Sequence, residues 1–184
     1  MGKKRIVTMA RLNRVIRAVE SELRHWNLWH PGLENIEVYL VPVGSAYGWQ
    51  MYGTTGHIYI PAVSACHVRD WVTGRYVYLL DVVRHEYAHA FAYVNHGGVT
   101  TRDFRRAFGA SHDSFRRLGP YDPQRHITPY AATNTCEDFA DTWTVFLKAR
   151  GRLPRQFDTP AIRRKWEFIR GLTRRSQSKR LIAC

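Results

Sequence analysis

Two histidines and a glutamate lie within five consecutive residues, His85-Glu86-Tyr87-Ala88-His89. On a helix, residues four apart share one face, so both imidazoles can reach a single metal ion. Zinc suits such a pair, because it binds imidazole nitrogen and lowers the pKa of a bound water. Glu86 points to the side of that axis, where it can accept a proton from an attacking water. The segment predicts a hydrolytic zinc site with His85 and His89 as ligands and Glu86 as general base.

A catalytic zinc usually has three protein ligands, so the two histidines leave one ligand to be found. The HExxHxxGxxH pattern would need a glycine at position 92 and a histidine at position 95, but the sequence has Ala92 and Asn95. His96 falls at the wrong angle and at a predicted helix end, which favours a capping or surface role. His112 and His126 are alternatives that only the fold would bring to the site.

A downstream segment contains the stronger candidate for the third ligand. Glu137 and Asp141 lie four apart in a predicted helix and therefore face the same way. Glu137 completes a His/His/Glu set, and Asp141 can accept the free N–H of a ligand histidine and fix its tautomer. Asn134-x-x-Glu137 and Thr135-x-x-Asp138 also resemble helix-capping boxes. We interpret Glu137 as the ligand and Asp138 as a capping residue.

The two motifs, HEYAH and EDFADTW, resemble those of the gluzincin metallopeptidases. More narrowly, they resemble the branch that contains anthrax lethal factor, the bacterial Pro-Pro endopeptidases and a group of bacterial zinc-binding metallopeptidases. In that branch a tyrosine seven residues before the ligand glutamate assists catalysis, which implies this role for Tyr130. The resemblance also implies a zincin-like fold, Zn²⁺ as cofactor, and a strand that borders the cleft and pairs with an extended substrate. That strand is here His57, Ile58, Tyr59 and Ile60.

These residues together predict a zinc-dependent endopeptidase that acts on a protein or peptide substrate. Glu86 takes the proton of the attacking water and passes it to the leaving amine, while Tyr130 donates a hydrogen bond to the oxyanion. Packing at a helix entrance is the alternative role for Tyr130. Two other functions stay open: a nucleic-acid-associated protease of the SprT type, and a non-catalytic nucleic-acid binder whose HExxH site is structural or vestigial.

The pattern of apolar residues places these motifs in an α+β order. Steps of three and four residues from Ile6 to Trp26 predict an amphipathic helix. Three short strands follow at about 36–41, 47–52 and 57–60, which favours an antiparallel or mixed sheet. Helices are then predicted at about 75–95, 104–108, 113–118, 135–148 and 160–172. We expect a zincin-like arrangement in which a small mixed sheet packs on the first helix and the HExxH helix, followed by a mainly helical C-terminal part.

The bulk composition is that of one folded domain spanning residues 1–184. The chain has 184 residues, 45% of them hydrophobic and 13% aromatic, which is enough to bury a core. No window is apolar for long enough to cross a bilayer, and the basic N-terminus lacks the apolar stretch of a signal peptide. The three cysteines form no CxxC pair and argue against a disulfide framework, so a cytoplasmic location is expected.

The chain carries 28 Lys and Arg against 15 Asp and Glu, for a net charge of +13. Such a field attracts acidic partners, of which nucleic acid is a common example. Much of the excess lies toward the C-terminus, where a basic tail is predicted at about 173–184. No nucleic-acid motif accompanies it, so a solvated helix face is the favoured interpretation and an acidic partner is the alternative.

Overall fold

A computed structural model describes residues 6–44, 47–52, 55–64, 78–114 and 118–182, with only the backbone described at 51, 52, 64 and 175–182. The predicted α+β class is confirmed. The described chain contains three strands and six α-helices: α1 (Met9–His25), β1 (Ile36–Gly44), β2 (Gly48–Tyr52), β3 (Thr55–Ser64), α2 (Leu79–Val94), α3 (His96–Val99), α4 (Arg102–Phe108), α5 (Thr135–Lys148) and α6 (Pro160–Ile182). Two 3₁₀ turns, Pro31–Asn35 and Arg155–Phe157, precede β1 and α6.

The three strands form a mixed sheet in the order β1-β3-β2. β3 runs parallel to β1 and antiparallel to β2, so Ile58 lies between Val38 on one side and Trp49 on the other. The expectation that the strand from His57 to Ile60 pairs with a substrate is wrong, because β3 is the central strand and both of its neighbours are in place. β2 is an outer strand of the described sheet.

The sheet packs toward α2 through Trp49 of β2, whose ring lies directly over the backbone of Gly56 in β3. A Cβ atom at Gly56 would lie 1.9 Å from the ring of Trp49, so only glycine leaves room for this indole across the β2–β3 pair. The Trp49 ring in turn lies 5.9 Å from the ring of Tyr93 on α2. This contact sets β2 beside the helix that carries the HExxH motif.

α1 covers α2 through an apolar stripe and an ion-pair network. Thr8 caps its first turn by accepting a hydrogen bond from the Arg11 backbone N–H at 3.3 Å. From α2, the buried Arg84 guanidinium donates two hydrogen bonds to Glu22 of α1 and one to Asp81. Because Lys148 of α5 also pairs with Asp81, the network joins the first helix to the two helices that carry the predicted site.

The aromatic core lies between α2, α4, α5 and α6. The rings of Phe91 on α2 and Trp143 on α5 are 4.6 Å apart, and Phe139 lies against the same indole at 5.5 Å. Phe104 and Phe108 of α4 extend this cluster toward α6. The result is a rigid support directly behind the HExxH helix.

Three of the helix predictions differ from the structure or cannot be compared with it: the start of α2, the helix at 113–118 and the end of α6. α2 begins at Leu79, and the predicted start near 75 lies outside the described residues. The short helix predicted at 113–118 is not helical at 113, 114 or 118, and residues 115–117 are not described. α6 does not end near residue 172 but continues to Ile182, so the backbone of the predicted basic tail is helical as far as it is described.

No helix within the described residues combines the length and apolar character needed to cross a membrane.

Asp138 is not a capping residue, which corrects the interpretation from its spacing. Its side chain is fully buried and lies 2.6 Å from the Nζ of Lys165 on α6, which is itself buried. Lys165 also donates to the backbone carbonyl of Arg125. Burial raises the pKa of Asp138 to about 6 and lowers that of Lys165, so both charges carry a desolvation cost.

This buried pair predicts that substitutions of Asp138 and Lys165 have non-additive effects on the free energy of unfolding. Lys165→Met should lower the free energy of unfolding by about 3–5 kcal/mol, because it leaves the Asp138 carboxylate buried without its partner. Adding Asp138→Leu should recover most of that loss. Urea unfolding of both single variants and the double variant measures the coupling, and additive losses would show that the pair is not a closed electrostatic unit.

Candidate metal centre

α2 presents its two motif histidines side by side on one helix face. The rings of His85 and His89 are 4.8 Å apart, and their Nε2 atoms are 3.1 Å apart. Both side chains are mostly buried, with 15% and 14% of their surface exposed. Two imidazole nitrogens at this distance repel one another if both carry lone pairs, so a cation or a proton between them is needed to relieve the contact.

α5 brings Glu137 to the same point from the opposite helix. The helix begins at Thr135, and the Asn134 side chain accepts a hydrogen bond from the Glu137 backbone N–H at 3.0 Å. The Glu137 carboxylate is therefore not used for capping. Its Oε2 lies 3.0 Å from Nε2 of His85 and 3.4 Å from Nε2 of His89. The capping interpretation thus applies to the backbone of Glu137, and its side chain faces the two histidines.

The three donor atoms lie close enough together to share one zinc ion. Ligands about 2.1 Å from a tetrahedral zinc lie roughly 3.4 Å from one another. The observed separations are 3.0, 3.1 and 3.4 Å, close to that value. Among the residues that the structure describes, these are the three His, Cys, Asp or Glu side chains whose ligand atoms group within 4.8 Å. Two nitrogens and one carboxylate oxygen also form a donor set that zinc prefers.

Asp141 holds the tautomer of His85 that such a site needs. Its Oδ1 accepts from Nδ1 of His85 at 3.0 Å, so in the neutral ring that a metal would bind, the lone pair lies on Nε2, toward His89 and Glu137. The other oxygen of Asp141 accepts a hydrogen bond from the Thr128 hydroxyl. Thr128 also accepts from the backbone N–H of Ala131 at 3.0 Å, so the carboxylate is oriented by a fixed turn.

The local field favours positive charge despite the burial of the site. Burial alone lowers the pKa of His85, but the hydrogen bonds to Asp141 and Glu137 outweigh it and raise the pKa to about 10. Burial opposes ionisation of Glu137 as well, yet hydrogen bonds from His85 and His89 hold the pKa of that carboxyl well below its usual range. A pocket that stabilises an imidazolium in this way also stabilises a divalent cation.

The two predicted catalytic side chains lie within electrostatic range of the cluster. Glu86 is 6% exposed, and burial raises the pKa of its carboxyl while the charges of His85 and His89 lower it. Tyr130 is 55% exposed, and its ring lies 5.9 Å from that of His85. Partial burial and the charge of Glu137 raise the pKa of Tyr130, so the hydroxyl is protonated and able to donate at neutral pH. The exposure of Tyr130 disfavours a pure packing role.

The remaining candidate histidines are not members of the group of three donors within the described chain. His96 is 61% exposed at the start of α3 and pairs with Asp113 at 2.9 Å, in agreement with the predicted surface role. His112 packs edge-on against Phe104 and Phe139. His126 is buried, and burial lowers its pKa. The alternatives for a third histidine ligand therefore lose their geometric basis.

Two neighbours of the cluster were not identified from the sequence. Thr128 is one, and its only sequence indication is its place in a turn before Pro129. Cys136 is the other: its thiol, next to the candidate ligand Glu137, donates to the carbonyl of His112 at 2.7 Å. Burial raises the pKa of this thiol to about 11, so it is not a thiolate ligand at neutral pH.

No protein-family model, curated protein or solved structure matches this chain. The resemblance of its two motifs to gluzincins therefore stays a prediction. The positions of His85, His89, Glu137 and Asp141 in the fold are the observations that bear on function.

The Asp141–His85 hydrogen bond predicts a loss of metal affinity without loss of a ligand. Asp141→Asn should weaken zinc binding by about 10- to 100-fold, because the amide no longer favours the required tautomer. Competition with a chromophoric chelator measures the affinity. Asp158→Asn, which removes the same charge from an exposed residue paired with Arg163, is the matched control and should bind zinc like the wild type. Equal affinity for all three proteins would contradict the role of Asp141.

Proposed function

We propose that this chain is a zinc-dependent endopeptidase, with His85, His89 and Glu137 as the metal ligands. The supporting observation is the convergence of three donor atoms, all within 3.4 Å of one another, from two packed helices. When bound, zinc supplies a Lewis acid that polarises the scissile carbonyl and lowers the pKa of a water. Two histidines and one glutamate leave a coordination position for that chemistry.

Glu86 is proposed as the general base. It neighbours His85 in sequence but is not one of the three grouped donors, so its carboxylate remains available for proton transfer. It accepts a proton from the attacking water as the new carbon–oxygen bond forms. It then delivers that proton to the amine nitrogen as the carbon–nitrogen bond breaks, which regenerates the carboxylate.

Tyr130 is proposed as the donor to the developing oxyanion. Its ring lies beside His85, its phenol is protonated at neutral pH, and more than half of its surface is exposed. A positioned hydroxyl of this kind stabilises the tetrahedral transition state more than the planar carbonyl. For an extended peptide, the proposed backbone partner is β2, the outer strand beside α2, in place of β3.

The SprT-like alternative has less support from the geometry. It requires a downstream histidine as the third ligand, and His96, His112 and His126 do not join the grouped donors within the described chain. A nucleic-acid binder with a vestigial HExxH site differs from a peptidase in one measurable respect: the removal of Glu86 would not change its function.

The proposal predicts different effects for the base and the oxyanion donor. Glu86→Gln keeps the side-chain shape but cannot take up a proton, so it should retain zinc and lose nearly all peptide hydrolysis. Tyr130→Phe removes one hydrogen-bond donor and should lower turnover by about 100- to 1,000-fold, with zinc retained. Zinc content by mass spectrometry and cleavage of a peptide library by the wild type and both variants test these outcomes.

Tyr121→Phe provides the control for a phenol hydroxyl removed elsewhere on the surface, since Tyr121 is 44% exposed. It should cleave the selected peptide at the wild-type rate. Wild-type turnover by Glu86→Gln would overturn the peptidase proposal. Wild-type turnover by Tyr130→Phe would remove only the tyrosine from it.

A further inference from the structure

α4 and α6 enclose an open groove of about 850 Å³. Its apolar lining includes Ala107 of α4 and Phe168 of α6, and four arginines line it as well: Arg106, Arg163, Arg164 and Arg174. None of the candidate metal ligands, nor Glu86 or Tyr130, lines this groove. It is therefore a separate surface feature that the proposed peptidase activity does not use.

The groove is lined by more positive than negative side chains. Two acids, Asp103 and Glu167, line it together with the four arginines. Asp103 lies 3.8 Å from Arg106, but both side chains are highly exposed, so this pair contributes little. Glu167 pairs with Arg170, and Arg163 pairs with Asp158. Arg164 and Arg174 are exposed and have no ion-pair partner among the described side chains.

The arginines of α6 lie along one stripe of the helix. Positions 160, 163, 164, 167, 168, 171 and 174 follow steps of one and three residues and all line the groove. The rise from Arg164 to Arg174 is roughly 15 Å at 1.5 Å per residue. A compact anion cannot contact both ends of this stripe, whereas a polymer with regularly spaced charges can.

The chemistry of these cations favours phosphate. Every cation that lines the groove is an arginine, whose planar guanidinium donates two parallel hydrogen bonds to a phosphate. The net charge of +13 adds a long-range attraction to polyanions. From these observations, we propose that the α4–α6 groove binds the phosphodiester backbone of a nucleic acid, independently of base sequence.

Fluorescence anisotropy with a labelled mixed-sequence single strand of about 30 nucleotides tests this proposal. The wild type should bind it with a steep salt dependence, a slope of log affinity against log salt of about −2.8 if four phosphates are neutralised. In Arg164→Gln/Arg174→Gln, affinity should fall by roughly tenfold and the slope should become shallower by about 1.4. RNA of the same sequence and a matched DNA duplex identify the preferred polymer.

Arg14→Gln/Arg17→Gln is the matched control, because it removes two exposed arginines of α1 and the same net charge. It should bind within about twofold of the wild type, and thermal unfolding should show all three proteins folded. Equal losses in the two double variants would mean attraction by net charge alone and would overturn the groove assignment. No binding, or tighter binding of a labelled polyglutamate of equal length, would also overturn it, the latter in favour of an acidic protein segment.

Discussion

The contact between α2 and α5 through Phe91 and Trp143 determines where the polar side chains of both helices meet. The two rings are 4.6 Å apart, and Phe139 packs on the same indole one turn before it. His85 and His89 precede Phe91 on α2, while Glu137 and Asp141 precede Trp143 on α5. Because a packed interior resists sliding of one helix along the other, this aromatic contact fixes the distance from the histidines to the carboxylates.

Local spacing was sufficient to predict α1, α2, α4 and α5, the HExxH residues and the approach of Glu137, since these depend on helical periodicity. It was wrong about the end of α6, which continues to Ile182, and it predicted a helix at 113–118 whose described residues are not helical. The strand order β1-β3-β2 was not predictable in this way, because pairing of β3 with β1 is a long-range choice that no short motif encodes. Asp138 was misinterpreted for the same reason: its partner, Lys165, is 27 residues away on α6. Thr128 was missed because a threonine in a turn has many equivalent uses.

The molecule combines an acidic site with a basic surface. Glu86, Glu137 and Asp141 surround two histidines in a largely buried pocket, whereas the chain as a whole carries +13. Exposed charges are screened over about 8 Å at physiological salt, so surface arginines act weakly on the buried carboxylates. α6 contributes to both environments: Lys165 faces inward to Asp138, while the adjacent Arg164 lines the α4–α6 groove.

Anomalous diffraction from crystals of the zinc-loaded protein, recorded on both sides of the zinc absorption edge, tests the central claim most directly. A zinc centre at this helix pair predicts one strong peak about 2.0–2.2 Å from Nε2 of His85, Nε2 of His89 and a carboxylate oxygen of Glu137. The absence of a peak between these three side chains, or a peak ligated instead by His96, His112 or Asp138, would contradict it.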